Sequence, residues 1–93
     1  MFLNGTLNDE RFQFDVELFA DPKHYLTFLI QITETTYLLA HRSIMTKQLV
    51  QLSGSYINPE LLEAISHAIE LSDEIKLKVS VKPLRELNKA YLK

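Results

Sequence analysis

Apolar and polar residues alternate strictly near the start of the chain. Between Phe12 and Phe19, the residues Phe12, Phe14, Val16 and Leu18 fall on one side, while Gln13, Asp15 and Glu17 fall on the other. Successive side chains of a strand point to opposite faces, so a period of two predicts a strand with one buried face. Phe2 to Leu7 reads as a preceding strand, and "NDER" between them supplies turn residues for an antiparallel hairpin. "ADPK" at 20–23 predicts a turn restrained by Pro22. In the next strand, Tyr25 to Thr33, the core face is Leu26, Phe28, Ile30 and Ile32, and the other face carries Tyr25, Thr27, Leu29 and Gln31. After "TETT", a fourth strand runs from Tyr37 to Arg42, with Leu38 and Ala40 on one face and Tyr37 and Leu39 on the other. Strands apolar on both faces are usually central or covered on both sides.

The period then lengthens. Ile44 to Leu52 fits a short helix capped by Ser43, with Ile44, Met45, Gln48, Leu49 and Leu52 on one side. "QLVQL" would serve as a strand, but the spacing and the following "SGS" favour helix. The clearest signal follows. Asn58 is an N-cap residue, Pro59 suits the first helical position, and Glu60 and Glu63 lie near the positive end of the dipole. Leu61, Leu62, Ile65, Ala68 and Ile69 form an apolar stripe at helical spacing, ending near Ser72. "SDE" predicts a turn into a fifth strand, Ile75 to Val81, which Pro83 stops. Leu84 to Lys93 fits a short amphipathic helix with Leu84, Leu87 and Tyr91 on one side. Runs of strands followed by helix indicate an α+β fold. We expect a mainly antiparallel sheet of about five strands, one main helix on one face and a short C-terminal helix, all within a single domain, residues 1–93.

Composition narrows the functional classes. A chain of 93 residues buries roughly 60–65% of its unfolded surface, enough for one core without covalent staples. The absence of cysteine excludes disulfides, thiolate zinc sites and cysteine nucleophiles. With only Gly5 and Gly54, there is no glycine-rich phosphate cradle, and no Walker, GxGxxG, GxSxG, HExxH, EF-hand or zinc-finger spacing occurs. "MFLNGTLNDERF" lacks the pattern of a secretory leader, and the longest mostly apolar run, "YLTFLIQI", is too short to span a bilayer. We expect a cytoplasmic protein that is not an enzyme, holds no cofactor and does not engage a membrane. His24 and His41 sit at strand ends and read as rim residues, and His67 reads as an exposed residue of the main helix. Asp15 and Glu17 share a strand face, which is what any solvent-facing strand shows.

Charge changes the picture more. The formal net charge is −2, yet residues 1–74 carry −7 and residues 75–93 carry +5. Lys76, Lys78 and Lys82 alternate with Ile75, Leu77, Val79 and Val81, and Arg85, Lys89 and Lys93 continue the basic run. Clustered cations of this kind suit phosphate backbones, but no aromatic residue is interleaved for base stacking. Lysines also guard sheet edges, and here they would pair with Asp15 and Glu17 if the fifth strand lay beside the second. Solvated or internally paired lysines are the favoured reading. Tyr25, Leu29, Tyr37 and Leu39 form a second apolar set, covered by 84–93 or 44–52, or else exposed as an interface. The function expected is a small non-catalytic protein–protein interaction module, a homodimer or an adaptor or regulatory subunit. The alternative is a nucleic-acid-binding module using the six basic residues.

Overall fold

The computed structural model describes residues 1–93 except His24, Ile44, Lys47, Lys78, Val79 and residues 88–93. Five antiparallel strands lie in chain order: β1 (Phe2–Leu7), β2 (Glu10–Ala20), β3 (Leu26–Gln31), β4 (Tyr37–Arg42) and β5 (Leu49–Gly54). Helix α1 (Pro59–Leu71) follows, then a short second helix, α2 (Asp73–Lys76), a two-residue strand, β6 (Lys82–Pro83), and a 3-10 turn at Leu84–Glu86. The α+β architecture is the one the hydrophobic pattern predicts.

Each connection has a local cause. β1 and β2 are joined by Asn8 and Asp9 alone, both at positive φ (52° and 66°). Two left-handed residues make the turn whose twist matches that of the flanking strands, and Asn and Asp tolerate that conformation. Asp21 Oδ1 accepts from the N–H groups of Lys23 (2.8 Å) and Tyr25 (3.0 Å) before β3. Thr33 Oγ1 accepts from Thr36 N–H at 3.0 Å before β4. α1 begins as expected: Asn58 Oδ1 accepts from Glu60 N–H at 2.8 Å, with Pro59 in the first position.

The period-two residues build the core. Phe14, Val16, Leu18, Phe28, Ile30, Leu38 and Ala40 are buried on one sheet face, against Ile65 and Ile69 of α1 and Ile75 of α2. Burying a large aliphatic or aromatic side chain is worth roughly 1.5–3 kcal/mol, so this layer dominates stability. Phe12 and Phe14 stack with centroids 5.7 Å apart. Gly5 lies opposite Phe12 in the ladder, and the Phe12 ring occupies the space a Cβ there would need.

Three expectations are corrected. The described residues of 44–52 do not form a helix. Ser43 does cap, but it caps a turn: its Oγ accepts from Thr46 N–H at 3.3 Å, and its own N–H donates to Gln48 O at 2.9 Å. β5 then pairs with β4 from Leu49 onward. The open edge of β4 offers a full hydrogen-bond ladder, and that tertiary gain overrides a short helical pattern. Nor do the described residues of 75–81 form the fifth strand; Lys78 and Val79 lie outside the described set. Ser72 Oγ accepts from Ile75 N–H at 3.3 Å and caps α2, with Asp73 and Glu74 in its first turn. Ile75 is buried and Leu77 is exposed, so the alternation with lysine reflects no common strand face. The expected helix over 84–93 appears as the 3-10 turn at 84–86, and residues 88–93 lie outside the described set.

Candidate partner surfaces

The face of the sheet away from α1 carries the first candidate. Leu29 and Leu39 oppose each other across β3 and β4. They are buried, at 7% and 1% exposure, in a second small cluster with Phe19 and Leu87. Tyr37 and Leu84 pack against the same cluster. Tyr25 remains exposed at the start of β3. The expected apolar set is thus split: the chain after β6 folds back over Leu29 and Leu39, and only Tyr25 stands clear. Phe19, the deepest β2 contribution here, falls one residue past the alternation that marks β2, so pattern alone assigned it to no face.

Three contacts hold this returning segment. Lys82 and Pro83 pair in parallel with Phe19 and Ala20 of β2. Lys82 Nζ lies 3.3 Å from Glu17 Oε2. Leu84 and Leu87 supply the apolar contact. The expected pairing between the basic run and the β2 carboxylates is therefore realised for Lys82 and Glu17, while Asp15 Oδ1 instead accepts from the Met1 nitrogen at 3.1 Å. Lys76 sits exposed in α2. Arg85 lines a cleft of about 430 Å³ together with Asp21, Pro22 and Leu84. A second cleft, about 390 Å³, is bordered by Glu17, Gln31, Lys82, Glu86, Leu29 and Leu87. Lys78, Lys89 and Lys93 lie outside the described residues. Lys76, Lys82 and Arg85 share no strand face, and Lys82 is paired with the Glu17 carboxylate. A phosphate backbone would have to compete with that carboxylate.

The second candidate was not legible in the pattern. β5 is the last strand of the sheet, and no described strand pairs with its far side, where Leu49 N–H donates to Ser66 Oγ of α1 at 3.3 Å. Its sequence, LVQLSG, holds no charged residue and no proline. Val50 and Leu52 are 43% and 54% exposed, and Tyr56, just beyond the strand, is 86% exposed. Opposite β4 the register slips: Ala40 faces Gln51 and Leu39 faces Ser53, leaving Leu52 as the extra residue of a bulge. Gln51 Nε2 donates to Ser55 O at 2.7 Å and ties the strand end to the loop before α1. β1 forms the other border of the sheet, but α1 packs chiefly over it and touches β5 less.

Other polar groups are less suggestive. His41 lies at the end of β4 and His67 is exposed on α1, while His24 is outside the described set. Among the described residues no three His, Asp or Glu side chains converge as metal ligands. Arg42 places its guanidinium 6.0 Å from the centre of the Phe28 ring, and its Nε and Nη2 are buried without a protein hydrogen-bond partner. No helix among the described residues is long and apolar enough to cross a membrane. Set against known protein families, curated proteins and solved structures, the chain matches none of them.

Proposed function

We propose that this chain is a non-catalytic protein–protein interaction module that works as a homodimer or as an adaptor for another protein. The observation that carries this reading is the open border of β5. β5 has no described strand neighbour beyond β4, and it carries the exposed apolar side chains Val50 and Leu52, the kind of border to which a partner strand can add. Edge strands that remain solitary are usually blunted by lysine or proline, and β5 has neither. The covered back of the sheet adds support from the other side: with Leu29 and Leu39 already under Leu87, an edge is the freer place for a partner.

The nucleic-acid alternative draws less support, because Lys82 is engaged by Glu17 and Lys76, Lys82 and Arg85 share no strand face. Size-exclusion chromatography with light scattering, read at 260 and 280 nm over a concentration series, tests both. A mass of two chains with a protein-like absorbance ratio is the expected result. A single-chain mass with a 260 nm excess that salt removes would contradict the interaction reading and favour the alternative.

A further inference from the structure

We propose that residues 81–87 act as a strap that opens without the rest of the fold and so switches the second apolar face of the sheet between hidden and bare. This goes beyond the interaction reading and does not depend on it. Four observations lead there. First, the strap pairs with a short leftover stretch of edge. β1 pairs with β2 as far as Asp15, and β3 takes the other side of β2 to Ala20, so Phe19 and Ala20 keep one side for Lys82 and Pro83. That pairing is parallel and two residues long, and Pro83 brings no N–H to it. Second, the strap is undercut. Clefts of about 390 and 430 Å³ both reach Lys82, one extending to Glu17, Leu29 and Leu87 and the other to Asp21, Leu84 and Arg85. Surface that lines a cleft makes no packing contact there. Third, the Lys82–Glu17 pair is substantially exposed on both sides, so water competes with it. Fourth, the chain enters the strap through Ser80 at φ 60°, a left-handed conformation that a non-glycine residue adopts at a cost and gives up on release.

What holds the strap shut is Leu84 and Leu87 against Phe19, Leu29 and Leu39. The other face differs in kind: there Phe14, Val16, Ile30 and Leu38 meet Ile65 and Ile69 of α1 in one continuous layer. An element with few buried contacts and a short ladder opens at a lower free energy than a packed core. Opening uncovers Phe19, Leu29 and Leu39 while β1 to β5 and α1 stay in place.

The chain has no cysteine, so a single introduced thiol reports its own exposure. Leu39→Cys places it beneath the strap, and Leu38→Cys, one residue away on the same strand, places it in the core under α1. Labelling by a small thiol reagent in native buffer, divided by the rate for the unfolded chain, gives each variant's open population. Urea unfolding of the same variant gives its unfolded population. For Leu39→Cys we expect an open population about tenfold or more above the unfolded one, changing little at low urea. For Leu38→Cys the two populations should agree. If Leu39→Cys fails to fold, Leu29→Cys takes its place on the same face. An open population at Leu39→Cys equal to the unfolded one would overturn the strap. So would an excess of the same size at Leu38→Cys, because the sheet itself would then be opening.

Discussion

At the scale of single residues, the two glycines show how different causes produce one residue choice. Gly54 has φ +108°, and a Cβ there would lie 2.5 Å from Tyr37 O and 2.7 Å from Leu38 Cα. Both obstacles are backbone, and the dihedral itself disfavours a side chain. Gly5 lies in the β1 strand, and its obstacle is the edge of the Phe12 ring, which a Cβ there would overlap. A ring can tilt where a carbonyl in a ladder cannot. We expect Gly54→Ala to cost about 2–4 kcal/mol and Gly5→Ala about 1–2 kcal/mol, measured by urea unfolding. Ser66 is the buried polar residue of α1, and its Oγ accepts from Leu49 N–H at 3.3 Å, joining the helix to the first residue of β5. Ser66→Ala leaves that N–H unpaired in the core and should cost about 1–3 kcal/mol. Ser66 lies beside the apolar stripe in sequence, so its role depends on β5 being where it is, and period alone does not reveal that. Arg42 makes the opposite point. Its Nε and Nη2 are buried with no protein partner, so Arg42→Met, which keeps the stem over Phe28, should be neutral or raise the melting temperature.

At the scale of elements, legibility tracked how far each element's pattern is set by its own neighbours. β1 to β4 and α1 were readable because alternation, the Asn8–Asp9 turn and the Asn58–Pro59 start are local signals that tertiary packing reinforces. β5 and α2 were not. Leu49 and Leu52 stand three apart, which suits a helix, yet Leu49 is buried in the core and Leu52 projects outward from a bulge. Ile75 and Leu77 stand two apart, which suits a strand, yet a four-residue helix capped by Ser72 turns only Ile75 inward. Short segments carry too few periods for pattern to outvote caps and ladders. The segment after β6 illustrates the same dependence. Its hold on the sheet rests on Leu84 and Leu87 far more than on the Lys82–Glu17 pair. Both charged side chains are substantially exposed, so that pair contributes about 0.2–1 kcal/mol and weakens with salt. We therefore expect Leu87→Ala to destabilise the fold by about 2–3 kcal/mol. It should also bare Leu29 and Leu39 to a hydrophobic dye. Lys82→Gln should do neither.

At the scale of the whole molecule, the described residues form a sheet covered by α1 on one face and partly covered by the Leu84–Leu87 segment on the other, with β5 the last strand. Alternation marked Leu29, Tyr37 and Leu39, which meet at the sheet's second apolar cluster, while Tyr25 stands clear of it. It did not identify which strand would be last, because strand order is a property of pairing and leaves no mark on the alternation of any one strand. The split between acidic and basic regions also takes a concrete form: the basic stretch returns to β2, where Lys82 meets Glu17. The interaction reading predicts association in solution, and analytical ultracentrifugation over a concentration series tests it most directly. We predict a mass of two chains that falls toward one on dilution. A single-chain mass at every concentration would contradict the homodimer.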